Sequence, residues 1–168
     1  MDVSTWRPMT LGDLEGVLTL ADVAFPDHFE EPARFEERLR LSSTTCFTLI
    51  APHGDIEGYL IAYPWTYGSA PPLNGPIGAI PENADVLYIH DLALLPVARG
   101  KGYTRAILDH LVEAVPLAGW QAVALVAVNQ SVPFWERNGF EVLAIPSMST
   151  KLASYGDDAR YMVRGLKR

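Results

Sequence analysis

The sequence predicts a mixed α/β domain, and three observations carry that prediction. Val86–Leu95 and Gln121–Val128 are apolar on both faces, as central strands are. Apolar residues recur at helical spacing in Thr10–Ala24, Glu31–Leu41 and the segment from Gly102 to about Val115. The elements follow one another as β-α-α-β-β-β-α-β-α-β-β, which no regular βαβ repeat generates. With 168 residues, the chain reads as one domain, 1–168, large enough for a two-layer core.

The elements follow in order. Ser4–Met9 reads as a short strand broken at Pro8. Thr10 is a good N-cap with Asp13 three residues on, in a capping-box arrangement. Leu11, Leu14, Val17, Leu18 and Ala21 then share one helical face. Phe25-Pro26-Asp27-His28 is a break, and Glu31–Leu41 is a second helix with Pro32 in its first turn. Thr45–Ala51 and Ile56–Trp65 flank the turn Pro52–Asp55 and read as a hairpin. Tyr67–Glu82 holds four prolines and three glycines and must be a long loop. The helix after Gly102 or Tyr103 turns Ala106, Ile107, Leu111 and Val112 inward and ends at Pro116. Ser131–Asn138 is a short helix with Gly139 at its C-terminal cap. Phe140–Pro146 and Arg160–Leu166 are the last strands.

Composition narrows the function classes. The chain is 49% hydrophobic and 20% charged, as globular proteins are. A net charge of −7 argues against nucleic acid, which needs a basic face, and mildly favours a cationic substrate such as an amine. The sequence has no apolar run approaching the ~20 residues of a membrane span and no signal-peptide pattern at its start. Cys46, the single cysteine, excludes an internal disulfide and fits a reducing compartment, so a cytoplasmic protein is expected.

The chemistry concentrates at Arg99-Gly100-Lys101-Gly102-Tyr103-Thr104. A buried strand runs into Pro96, a glycine-rich turn follows, and an amphipathic helix begins. Unpaired N–H groups at a helix start carry partial positive charge, and Arg99 and Lys101 add to it, making an anion site suited to a pyrophosphate. A Walker A loop is excluded because the spacing before Lys101 is wrong. A Rossmann loop is excluded because Arg105 stands where its third glycine belongs.

The turn resembles the phosphate loop of the GCN5-related N-acetyltransferase (GNAT) family, [QR]-x-x-G-x-[GA], departing from it only at Thr104. A second motif of that family begins about 25 residues further on, with Asn129 at a strand end and then Phe134-Trp135-Glu136-Arg137-Asn138-Gly139-Phe140. The opening Arg7-Pro8-Met9-Thr10, with Asp13-Leu14, is also common in the family. The resemblance covers nearly the whole chain. It implies a mostly antiparallel twisted sheet of about seven strands flanked by about four helices, splayed between the fourth and fifth strands.

The resemblance also implies acetyl-CoA as cofactor, with no metal. Leu92, Ala93 and Leu94 would bond the pantetheine arm like an added half-strand. The N–H groups of Gly100, Lys101, Gly102, Tyr103, Thr104 and Arg105 would hold the pyrophosphate beside Arg99. Asn129 would reach the pantetheine, although it would equally cap the next helix. Phe134 and Trp135 would flank the cofactor.

Acetyl transfer to an amine requires deprotonation of the ammonium, polarisation of the thioester carbonyl and departure of the thiolate. In the family the transfer is direct, and the amide of Leu94 or its neighbour would polarise the carbonyl. For the base the strand offers His90 and Asp91. Adjacent strand residues point to opposite faces, so one of them is expected in the cleft. Many family members carry a glutamate at the His90 position and arylalkylamine N-acetyltransferases a histidine; imidazole suits a base at neutral pH, so His90 is favoured as the base over a satisfied structural histidine. Asp91 would instead bind the substrate cation or pair with a nearby charge. Trp135 stands where the family's acidic tyrosine belongs, and indole donates a hydrogen bond but not its proton. Water, another tyrosine such as Tyr103, or unprotonated thiolate departure must substitute. His28, His53 and His110 read as surface or packing residues.

The leading reading is therefore a small-molecule N-acetyltransferase, its acceptor side built from Phe25–Phe35 and Tyr67–Glu82. Phe25, Phe29, Tyr63 and Trp65 hint at an apolar acceptor and equally at core packing. A CoA-binding sensor with lost catalysis and a protein N-acetyltransferase are the alternatives. The family's last strands often pair across a dimer, which makes a homodimer an expectation.

Overall fold

A computed structural model describes residues 3–27 and 29–165, so His28 and Leu166 lie outside the described residues. The strands are β1 (Thr5–Pro8), β2 (Cys46–Ile50), β3 (Ile56–Trp65), β4 (Val86–Leu94), β5 (Ala122–Ala127), β6 (Glu141–Val142) and β7 (Arg160–Arg164). The helices are α1 (Leu14–Ala24), α2 (Pro32–Leu41), α3 (Tyr103–Leu117), α4 (Val132–Arg137) and α5 (Ser149–Tyr155). Strand order is β1-β2-β3-β4-β5-β7-β6, mostly antiparallel, with β4 and β5 parallel. The mixed sheet expected from the sequence is therefore present. None of the described helices is long and apolar enough to cross a membrane.

The chain forms two compact units. The first contains Met1–Tyr63, Pro72–Ala79 and His90–Ile107. In it β1 pairs with β2 from Thr5↔Ile50 to Pro8↔Phe47, and β2 pairs with β3 from Cys46↔Ile61 onward. Pro8 is tolerated because β1 is an edge strand, where a missing N–H breaks no ladder. Every side chain of Cys46–Leu49 is buried, as are Tyr59–Tyr63. Val17, Leu20 and Ala21 of α1 and Phe35 and Leu39 of α2 complete this core.

Asp13 staples the start of α1 to two strands. Its carboxylate accepts both Arg7 guanidinium nitrogens at 2.7 and 2.8 Å, the Thr10 N–H at 2.9 Å and the Thr48 hydroxyl at 2.9 Å. The capping box between Thr10 and Asp13 is formed, but Leu11–Asp13 is a 3₁₀ turn, so α1 proper begins at Leu14. Burial alone would raise the Asp13 carboxyl; its four donors outweigh that and hold it at about 2.

The second unit contains Pro64–Pro71, Ile80–Ile89 and Leu108–Arg168. The parallel register runs from Val86↔Ala122 to Ile89↔Leu125. β5 also pairs antiparallel with β7 from Val123↔Arg164 to Ala127↔Arg160, and β6 adds to β7. Leu108, Leu111 and Val115 of α3 belong to the core with Val123, Leu125, Tyr161 and Met162. Tyr161 accepts the Gly68 N–H at 3.0 Å, and Asp85 accepts the Tyr67 N–H at 2.7 Å, anchoring the start of the proline-rich loop.

Two expectations are corrected here. Pro116 does not end α3, which continues to Leu117. Gly119, at φ +80°, ends it in a Schellman motif: Gly119 N–H donates to Pro116 and Trp120 N–H to Val115. The expected strand Phe140–Pro146 shrinks to Glu141–Val142, and α5 follows it, giving five helices instead of about four. At seven residues, α5 is too short for the helical period to stand out.

Asp13 gives a testable consequence. Its folded pKa lies below its unfolded value, so its contribution is present above about pH 4 and is lost as the pH falls through about 2. Asp13→Asn is expected to cost about 2 kcal/mol at pH 7 in urea unfolding, with the difference from wild type shrinking toward pH 2.

Candidate active site

The glycine turn expected to hold a pyrophosphate grows out of the end of β4. Leu95 donates its N–H to Glu57 at 2.8 Å, Pro96–Ala98 forms a 3₁₀ turn, and the Arg99 Nε donates to the Leu94 carbonyl at 3.1 Å. Gly100 and Gly102 have φ of +75° and +84°, a region that glycine enters without penalty. A Cβ built on either one meets nothing within 4 Å, so the space in front of both is open. α3 then begins at Tyr103, and Ala106 N–H closes its first turn onto Gly102 at 3.1 Å. Arg99, Gly100, Lys101, Gly102 and Arg105 are exposed, while Tyr103 and Thr104 are half-buried. These residues fit an anionic group approaching main-chain N–H groups.

Tyr103 faces β1. Its hydroxyl accepts the Ser4 N–H at 3.0 Å, and its carbonyl accepts the Trp6 indole N–H at 2.9 Å. It packs with Trp6 and Leu92 against Leu49, Leu94 and Ala98. Its side chain is a structural tie between β1 and the turn.

Further back on β4, the structure gathers a cluster around Glu30. His90 Nε2 makes a short hydrogen bond with a Glu30 oxygen. The other Glu30 oxygen accepts Arg38 at 3.2 Å and the Asn74 N–H at 3.1 Å. The His90 Nδ1 lies 3.3 Å from the Tyr63 hydroxyl, and the Tyr59 hydroxyl donates to Asp91 at 3.3 Å. The side chains of Arg38, Glu30 and His90 are 1%, 6% and 5% exposed. His90 and Asp91 both bring ligand-capable atoms within 4.8 Å of each other and of Glu30.

The electrostatics of the cluster separate its two carboxylates. Burial works to raise Glu30, but the His90 hydrogen bond, the His90 and Arg38 charges and the Asn74 amide outweigh it, so Glu30 lies below its ordinary value. For Asp91 burial prevails and the Glu30 charge adds to it, against His90, Arg38 and Tyr59; the carboxyl is raised to about 6. Burial, together with Asp91, pushes Tyr59 well up. The Glu30, His90 and Asp91 spacing would suit a small cation. Arg38 already supplies the balancing charge at Glu30, so the geometry favours an ion-paired network over a metal centre.

Glu30 and Asp91 also line a recess of about 10 Å³ with Ala21, Asp22, Phe25, Phe29 and Phe35. That is room for one water-sized group. Phe29 stands 62% exposed. Of the expected aromatic acceptor residues, Phe25 and Phe29 line this recess, whereas Tyr63 is fully buried in the core. Asn74 ties the proline-rich loop to the same region. It accepts the Glu31 N–H at 2.9 Å through its side chain and the Arg34 Nε at 3.2 Å through its carbonyl.

Glu30 and Arg38 were not singled out by sequence reasoning. Arg38 carried a signal, because it falls on the same face of α2 as Phe35, where a charge needs a buried partner. Glu30 precedes the helix in an acidic pair and carried none.

In the second unit, Asn129 and Gln130 take positive φ, +53° and +60°, which is uncommon outside glycine. The residue preceding α4 is Ser131, so Asn129 is not its N-cap. Trp135 packs edge-on to Phe134 and Phe140, at centroid distances of 5.0 and 5.4 Å. Its ring is half-buried.

Residues 14–140 match the family described as acetyltransferase (GNAT) family. Among solved structures, the chain is similar to Naa20 of Chaetomium thermophilum in complex with a bisubstrate analogue (TM-score 0.72, 19% identity, 98% of this chain and 87% of that one). It is also similar to N-acetylglutamate synthase of Neisseria gonorrhoeae complexed with coenzyme A and N-acetyl-glutamate (0.70, 19%, 99% and 36%). A third likeness is to the GNAT-like decarboxylase GphF in complex with isobutyryl-CoA (0.76, 15%, 97% and 100%). At these identities the likeness speaks for the fold. A search of curated proteins by sequence finds no match.

The buried pair makes a prediction. Arg38→Leu leaves Glu30 charged and buried without its cation, and is expected to cost about 3–5 kcal/mol in urea unfolding. Adding Glu30→Gln to that variant should restore most of the loss.

Proposed function

Because the chain belongs to the acetyltransferase (GNAT) family, we propose that it is an acetyl-CoA-dependent N-acetyltransferase that acts on a small-molecule amine by direct transfer in a ternary complex. The observation that carries the small-molecule part is the recess beside Asp91. It has room for one water-sized group, its wall is acidic, and phenylalanines flank it. An ammonium on an apolar body matches that lining. The net charge of −7 favours the approach of such a cation.

Bound acetyl-CoA supplies an acetyl group activated as a thioester. The N–H groups from Gly100 to Arg105, with Arg99 and Lys101, bind its pyrophosphate. The open space in front of Gly100 and Gly102 supports that assignment. The backbone of Leu92, Ala93 and Leu94 extends past the end of the β4–β5 register and holds the pantetheine. Asn129, Phe134 and Trp135 are assigned to the cofactor on the family's second motif. The amide of Leu94 or its neighbour polarises the carbonyl. His90 and Asp91 are the groups on β4 for the amine's proton. With Trp135 in the tyrosine position, the thiolate leaves unprotonated or takes its proton from water. The reading makes the protein cytoplasmic and homodimeric through β6 and β7, on its lone cysteine and on the family resemblance.

The same tryptophan favours one other reading, a CoA-binding module without turnover. Calorimetry with acetyl-CoA, followed by thiol-release assays over a panel of amines, separates the two. Binding with release on at least one amine is expected. Binding without release on any amine defeats the enzyme. Gly100→Ala, which puts a methyl group into the open space, should weaken acetyl-CoA binding at least about tenfold, equivalent to about 1.4 kcal/mol.

A further inference from the structure

His90 and Asp91 are neighbours on β4, but the cluster treats them differently. Glu30 is held ionised, so both of its oxygens accept, and the His90 nitrogen facing it must carry the hydrogen. The other ring nitrogen, Nδ1, faces the hydroxyl of buried Tyr63. The ring is 5% exposed and is absent from the lining of the recess. Asp91 lines the recess, beside Asp22, Phe25 and Phe29.

We infer that Asp91 is the catalytic residue that takes the proton from the acceptor amine, and that Glu30 is a positioning residue that holds His90 away from that role. The inference rests on the acetyl-transfer reading above. The ammonium gives one proton to the Asp91 carboxylate, and its nitrogen lone pair forms the bond to the thioester carbonyl carbon. The carbon–sulfur bond breaks, and its electron pair leaves with sulfur. The nitrogen's second proton goes to the thiolate or to water. Asp91 then returns its proton to solvent.

The charged and titratable groups facing Asp91 are His90 on its own strand, Glu30 before α2, Arg38 on α2, Tyr59 on β3 and Asp22 on α1. They make the inference visible in a pH profile. Asp91 is ionised above about 6, so the acid limb of kcat/KM should fall there. Glu30→Gln removes the anion that helps to raise Asp91, and should move that limb to lower pH.

The experiment measures kcat/KM against pH for wild type, Asp91→Asn, His90→Gln and Glu30→Gln, using an amine that the panel identifies as an acceptor. Acetyl-CoA affinity and melting temperature are followed alongside. Asp91→Asn should lose at least about 100-fold and its acid limb. It should melt no lower than wild type, because a carboxyl raised by burial opposes folding at neutral pH. His90→Gln should retain the acid limb and lose less than Asp91→Asn. An acid limb that survives in Asp91→Asn, or a loss in His90→Gln as large as that in Asp91→Asn, overturns the assignment and leaves acetyl transfer standing. Absence of thiol release from wild type with every amine, despite acetyl-CoA binding, overturns acetyl transfer and this assignment together.

Discussion

A buried carboxylate sets the terms for the first unit. Glu30 sits at 6% side-chain exposure, where an unpaired charge would be far too costly to keep. Its partners come from three places in the chain: Arg38 on α2, the Asn74 amide in the proline-rich loop, and His90 on β4. Satisfying one side chain therefore fixes the approach of a helix, a loop and a strand. Glu37 repeats the pattern nearby by accepting the N–H groups of Ile77 and Gly78 at 2.9 and 3.0 Å. A loop with so many prolines has little regular pairing of its own, and these carboxylates take up its main-chain donors.

The same arrangement distributes chemistry. Two carboxylates a few ångströms apart are driven in opposite directions, Glu30 down by its donors and Asp91 up by burial and by Glu30 itself. Environments that split paired titratable groups in this way assign them different tasks. One carboxylate stays charged and organises its surroundings. The other titrates within the range in which proton transfer is useful.

Much of the fold was legible because its elements announce themselves locally. The doubly apolar stretches at Val86 and Gln121, the Thr10–Asp13 capping box and the glycine turn at 100–102 each depend on neighbours in sequence. The α5 segment did not announce itself, because two turns of helix are too few to display a period. The phosphate turn was legible for the same local reason. The acid–base cluster was not, because Glu30 and His90 lie 60 residues apart and meet only through tertiary packing. What Arg38 did reveal, a charge on the apolar face of α2, pointed to a buried partner without naming it. Which of His90 and Asp91 turns toward the acceptor was not legible, because it depends on neighbours distant in sequence; Asp91 lines the recess and His90 does not.

The lining of the recess divides residues by what they owe to folding. Glu30 is locked into a buried network, and Phe35 is 5% exposed within the core, so changes at either disturb the whole unit. Phe29 stands at 62% exposure on the same lining and contributes little to the core. In evolutionary terms, the position is decoupled from stability. A lineage can exchange its side chain, and with it the shape of the acceptor that the recess admits, without first acquiring a compensating mutation. Under the proposed acetyl transfer, the scaffold thus keeps Glu30, which organises the cluster, under strong folding constraint and leaves one wall of the recess open to drift.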